Sequence, residues 1–432
     1  MRKSIFTILL VIFSLSSFAQ KKPLDHSVYD GWKNIGAFTM TEDAQYTLFM
    51  INPQEGDSKF VSHNISTGEQ FEIPRGSSYK VTWDGNYAVM RIKATFEETR
   101  NAKLKKLKPE QMPRDTLGIY NIRTKELKKI PFLKEGSSGF KIEKYSKNFF
   151  VFQTTPAPDT SKNKKPAPKK ENGVGSDLMI YHFSSGIIDT LKYITDYSLS
   201  EGGDSLFFVR FPNSKDSVYS AGLYLYQPAT KSLTTIYNTV KKQGVKLPVV
   251  SRNNKSLVFY ANLDTAKGKN KDVSIMIYRE GFEKAKVVVD NSHSSLPKGF
   301  RVSENRSLQF DTLGKRLFFG IGRILPEKDT SIVESETAKL DIWHYQEPYI
   351  QPYQLINLAR EQKKTYICKV ELDGDPEFVQ LANEDYELVY VPSKFSSDWA
   401  YSASGKKYEI ETQWSADPHR DLYIISIKDG IS

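Results

Sequence analysis

The chain is poor in the residues from which most compact chemistry is built. Its 432 residues include one cysteine, Cys368, so an intramolecular disulfide framework and a cysteine-based zinc site are both excluded. Six histidines (His26, His63, His182, His293, His344 and His419) are scattered one to a region, with no clustered metal-ligand spacing. No G-x-S-x-G nucleophile elbow occurs; the nearest string, GSSGF at 136–140, has Phe140 where the last glycine is needed. H-E-x-x-H, Walker and dinucleotide glycine loops are missing too, and the Asp-Gly pairs lack the acidic ladder of a calcium loop. The sequence therefore names no catalytic residue, no metal ligand and no cofactor.

Long apolar runs are equally scarce. The longest, residues 5–18, is shorter than the roughly twenty residues a spanning helix needs. It follows Arg2 and Lys3 and ends in Ser17-Phe18-Ala19, the small-x-small pattern of a secretory signal peptide. We therefore expect residues 1–19 to be removed between Ala19 and Gln20, and the mature protein to be exported, to the periplasm. No cysteine follows the cleavage site, so a lipid anchor there is not expected. Loss of Arg2 and Lys3 takes the formal charge from +10 to +8. Five lysines of the remaining excess lie in one Pro/Lys-rich stretch, residues 154–173, which reads as a surface loop. Basic residues are not interleaved with aromatics on one segment, so nucleic acid is not an expected partner.

What the chain has in quantity is aromatic: 24 Tyr and 25 Phe, a density that favours strands. They recur in a pattern. A polar turn leads into an apolar strand in TEDAQYTLFMI (41–51), WDGNYAVMRI (83–92), SKNFFVFQT (146–154), GGDSLFFVRF (202–211), RNNKSLVFYA (252–261), TLGKRLFFGIG (312–322) and, more weakly, SSDWAYSAS (396–404). Each is followed by strand, tight turn, strand, with turn centres at Gly68, Lys125, Gly186, Lys231, Gly281, Gly374 and Gly430. Alternation within these strands has period two, as in Leu223 and Leu225 against Tyr224 and Tyr226. Repeated four-stranded units of roughly 40–50 residues, stretched by loops, are the mark of a β-propeller. A tandem of β-sandwiches also alternates, but would not be expected to repeat one order of turn and strand seven times. The expected fold is all-β, a propeller domain over residues 20–432 with about seven or eight four-stranded blades.

Insertions near 93–114, 154–173 and 323–363 break the period. The first suggests a short helix ended by Pro109. The third holds Trp343, Tyr345, Tyr349 and Tyr353, and its LINLAREQKK run suggests a short helical turn. These four aromatics are the candidate access-loop residues, although aromatics in a loop ordinarily anchor it by packing. Cys368, mid-strand in TYICKVEL, is expected to be a buried, inert thiol.

The opening KKPLDHSVYDGWKNIG with TEDAQYTLFMINPQEGD, the WDGNYAVM unit and the LDIWHYQEPYIQPYQL stretch (340–355) together resemble exported prolyl-oligopeptidase-type serine peptidases. The WDGNYAVM unit is also similar to the blades of TolB-like propellers. The peptidase resemblance implies a propeller that admits oligopeptides to a following α/β-hydrolase domain. The Ser, Asp and His of the triad belong to that domain, and no residue here matches their motifs. The seventh hairpin stops at Ile431-Ser432, two residues past its turn, so an incomplete last blade and a missing hydrolase domain are expected. Two other readings stay open: a self-sufficient TolB-like binding or scaffold module, and a propeller lyase or glycosidase with its site in the central channel.

Overall fold

The computed structural model describes residues 26–136, 139–156, 173–239, 244–262, 270–327, 329, 331–336, 340–373 and 378–432. The expected cleavage site at Ala19–Gln20, the turn at Gly374 and most of the 154–173 stretch lie outside these residues. The chain divides into two compact units, Met1–Glu135 with Thr155–Thr160, and Gly136–Thr154 with Ser161–Ser432.

In the first unit, one antiparallel sheet runs β1 (Lys33–Met40), β2 (Tyr46–Pro53), β3 (Lys59–Asn64), β4 (Gln70–Pro74). A second runs β5 (Gly76–Val81), β6 (Tyr87–Ile92), β7 (Thr116–Asn121), β8 (Leu127–Ile130). Leu48, Phe60 and Ile73 of the first sheet and Ala88, Met90 and Tyr120 of the second form one core cluster.

The second unit opens with a seven-stranded sheet. Its strands are β9 (Phe140–Lys141), β10 (Phe149–Phe152), β11 (Ser176–His182), β12 (Ile188–Leu199), β13 (Leu206–Arg210), β14 (Gly222–Gln227) and β15 (Ser232–Asn238), in chain order across the sheet. Strand β12 joins two units of the repeat: its first half pairs with β11 as far as Ile194, and its second half, from Ile194 to Leu199, pairs with β13. Next come β16 (Val245–Val250), β17 (Ser256–Asn262), β18 (Val273–Arg279) and β19 (Lys286–Val289). In the following sheet, β20 (Phe300–Val302) and β21 (Gln309–Phe310) share the first position beside β22 (Arg316–Arg323), then β23 (Tyr366–Glu371) and β24 (Phe378–Gln380). A three-stranded sheet, β25 (Val389–Tyr390), β26 (Trp399–Ser404) and β27 (Asp421–Ser426), is the last. The architecture is all-β and of the propeller class: antiparallel meanders met in sequence order, with the seven-stranded sheet holding two units of the repeat.

Five of the polar turns that precede an apolar strand share one device. The side-chain oxygens of Thr41, Thr82, Ser200, Ser251 and Asp311 accept the backbone N–H five residues on, from Tyr46, Tyr87, Ser205, Ser256 and Arg316, at 2.9–3.1 Å. All five acceptor residues are buried, and at Ser251 the donor residue Ser256 is buried with it. Thr41, Thr82 and Ser251 in turn donate to Asp43, Asp84 and Asn253 at 2.6–2.7 Å, which locks the turn. Ser251→Ala removes both bonds and strands the Ser256 N–H, so stability falls by about 1–2 kcal/mol in denaturant unfolding. A change within about 0.5 kcal/mol, as for an ordinary surface substitution, would show that the cap contributes nothing.

The hairpin turns follow from backbone freedom. Gly68 (φ +72°) occupies the left-handed region, and at the equivalent turn Lys125 (φ +63°) takes the same conformation at a steric cost glycine avoids.

The insertions correct the sequence in detail. The first holds helix α1 (Phe96–Leu104), entered through a capping box between Thr95 and Glu98. It does not run to Pro109. Lys106 turns left-handed (φ +50°), and Lys106 and Leu107 donate back to Lys103 and Ala102, a Schellman ending that stops the helix first. Pro109 instead opens a short 3-10 turn. In the third insertion the expected helical turn is a full helix, α2 (Gln351–Glu361), started earlier by Pro352 in its first turn.

Candidate functional site

The candidate site is the insertion between β22 and β23. It leaves the sheet after Arg323, runs through the aromatic stretch, forms α2 and returns at Tyr366. Two tyrosines on adjacent turns order its middle: Tyr349 and Tyr353 stack with ring centroids 4.8 Å apart and planes at 21°. The Gln354 amide donates to the Glu347 carboxylate (2.6 Å) and to the Tyr349 carbonyl (2.7 Å), closing the loop onto the first turn of α2. From outside the insertion, Gln413 donates its side-chain amide to the carbonyls of Glu347 and Pro348.

These ties leave an open pocket of about 270 Å³ lined by Trp343, His344, Tyr345, Glu347, Tyr349 and Ile350, with Gln351 and Gln413 at its edges. Trp343 is 64% exposed and Tyr345 85%, so neither anchors the loop by packing. That departs from the expectation for loop aromatics. Tyr349 and Tyr353 do serve that purpose through their stack, although both remain partly exposed. The structure thus brings three of the predicted aromatics, Trp343, Tyr345 and Tyr349, to one pocket, and sets Tyr353 behind it on α2. Burial, followed by the nearby Glu409 carboxylate, raises the Tyr349 hydroxyl above its ordinary pKa, so it stays a neutral donor at physiological pH. The pocket offers π faces, one imidazole and one carboxylate. That set is suited to holding a side chain, and its volume lies just below the roughly 300–1,000 Å³ of sites that enclose a whole small molecule.

Cys368 lies fully buried in β23, and burial pushes its thiol well above the ordinary range, as expected for an inert core cysteine. His182 bonds Asp189 at 2.9 Å on neighbouring strands. Among the described residues no group of three His, Cys, Asp or Glu side chains is placed to hold a metal ion, and no helix is long and apolar enough to cross a membrane.

No protein-family model matches the chain, and no curated protein matches it. Among solved structures it is similar to the acylaminoacyl peptidase of Pyrococcus horikoshii, at 9% identity over 93% of this chain and 52% of that one, with a TM-score of 0.37. It is also similar to the β-propeller domain of the Trilobed protease from Pyrococcus furiosus (9% identity, 91% of this chain and 95% of that one, TM-score 0.35). A third likeness is to TolB from Acinetobacter baumannii (13% identity, 56% and 52%, TM-score 0.26). At these identities the likeness is one of fold alone. The chain spans about half the length of the acylaminoacyl peptidase.

Proposed function

We propose that this chain is the non-catalytic propeller portion of an exported prolyl-oligopeptidase-type serine peptidase, and that its aromatic insertion takes hold of oligopeptides destined for a hydrolase domain. The observation that carries the reading is the pocket at Trp343, Tyr345 and Tyr349, where exposed aromatic faces surround a space the size of one large side chain. An unfolded peptide can insert any of its side chains there, whereas a folded protein keeps most of its large apolar side chains inside. The export signal read at Arg2, Lys3 and the 5–18 run supports a periplasmic site of action.

Calorimetric titration of the chain with short peptides tests this. Peptides bearing an aromatic residue bind, and Trp343→Ala weakens them about tenfold or more, as loss of an aromatic anchor does. Equal affinity for wild type and Trp343→Ala would remove the insertion from the binding surface.

A further inference from the structure

A second pocket, of about 260 Å³, lies at the other end of α2. Among the described residues, three cationic side chains line it, Lys271, Arg301 and Lys363, with one carboxylate, Glu304. A fourth cation backs that carboxylate: Lys246 and Lys271 both donate to the same oxygen, Glu304 Oε1, at 2.9 and 3.0 Å. The other oxygen, Glu304 Oε2, is buried and accepts no hydrogen bond. Burial lowers the Arg301 guanidinium below its ordinary pKa, with Glu304 as the nearby opposing charge. The C-terminus of α2 adds about half a negative charge at this end, which the cations outweigh. A half-buried site with cations in excess favours an anion.

The two pockets are joined along one helix face. Gln351 edges the aromatic pocket and Gln362 lines the cationic one. Between them Leu355 and Leu358, 57% and 48% exposed, fall at positions four and seven along from Gln351, on that same face. Eleven helical residues cover roughly 16 Å, the reach of about five residues of extended chain.

We infer that the cationic pocket takes the terminal carboxylate of a short peptide lying along α2, with a side chain about five residues upstream held at Trp343. The carboxylate meets Arg301, Lys271 and Lys363, and apolar side chains between rest on Leu355 and Leu358. This rests on the oligopeptide reading above and adds a preference for a free C-terminus.

The test is calorimetric titration of the full chain with one hexapeptide, aromatic at its first or second position, made as the free acid and as the C-terminal amide. The acid binds about tenfold or more tightly, the size of one lost charge-assisted bond. Lys363→Glu and Arg301→Gln abolish the difference between the two forms, whereas Trp343→Ala weakens both alike. Lys363 is exposed, so its variant keeps the test open if Arg301→Gln does not fold. Acid and amide binding within about twofold would overturn the carboxylate site and leave the oligopeptide reading standing. A preference that survives Lys363→Glu with folded Arg301→Gln would place the carboxylate elsewhere and overturn the site. If neither form binds, both readings fall.

Discussion

Phe319→Ala lowers the unfolding free energy of the second compact unit by about 3–5 kcal/mol, the cost of an aromatic side chain removed from a packed interior. Phe319 sits in the middle of β22, fully buried, opposite Cys368 of β23 and edge-on to Phe378 at 5.4 Å. Its cluster draws on three sheets at once: Val258 and Ile275 from β17 and β18, Ile367 and Val370 from β23, and Ala400 and Ile425 from β26 and β27. A void there is shared among elements that cannot all move to fill it, which puts the cost at the upper part of the range. The loss compares with a total stability of roughly 5–15 kcal/mol for a typical domain. Denaturant unfolding followed by fluorescence measures it, and the shift belongs to the transition of the second unit, which holds Trp343, Trp399 and Trp414. Phe38→Ala, at a position 66% exposed on β1, is the control and changes stability by no more than about 0.5 kcal/mol. A Phe319→Ala loss below about 1.5 kcal/mol would mean that the core there is loosely packed.

The second large effect is electrostatic. Glu304→Gln destabilises the same unit by about 1–3 kcal/mol at neutral pH, because Lys246 and Lys271 lose the charge that both of them face. The Glu304 side chain is only 14% exposed, while Lys246 and Lys271 keep 35% and 28% of theirs. Solvent screening therefore holds the effect below the 3–5 kcal/mol of a fully buried broken pair. Burial opposes ionisation of Glu304, yet the hydrogen bonds from the two lysines hold its carboxyl below its ordinary value. A carboxyl depressed in the folded state contributes stability above its unfolded pKa, about 4.3, and loses it as the pH falls through the lower folded value. The gap between wild type and Glu304→Gln is accordingly widest near pH 6–7 and closes on acidification below about pH 4. Unfolding curves for both proteins across that range check the sign. A gap that is constant with pH would show that the charge of Glu304 does not matter.

The repeat was legible because its signals are local. Period-two alternation, a glycine or its stand-in at each hairpin turn and a polar turn before each apolar strand all fall within about fifteen residues, and among the described residues the seven apolar strands of the repeat are strands of the structure. The first strand of each sheet was not legible. Phe140–Lys141 and Val389–Tyr390 are two residues long, and Lys33–Met40 is exposed along nearly its whole length. Such segments are strands only because a neighbour supplies the other half of the ladder. The sharing of β12 between two units was hidden for the same reason, since its twelve residues read as one hairpin arm until β13 pairs with the second half.

The aromatics of the insertion stood out in sequence because Trp343, Tyr345, Tyr349 and Tyr353 are close neighbours in the chain. The cationic pocket gave no such signal, since Lys246, Lys271, Arg301 and Lys363 come from four separate segments and each alone is an ordinary surface charge. By itself the sequence determined the all-β repeat, the turns that punctuate it and the places where it is interrupted, because those depend on backbone conformation and side-chain period. Which aromatics stay exposed, where α1 stops and which distant charges meet around Glu304 were decided only by the tertiary structure, because burial and charge pairing depend on what other segments bring to the same place.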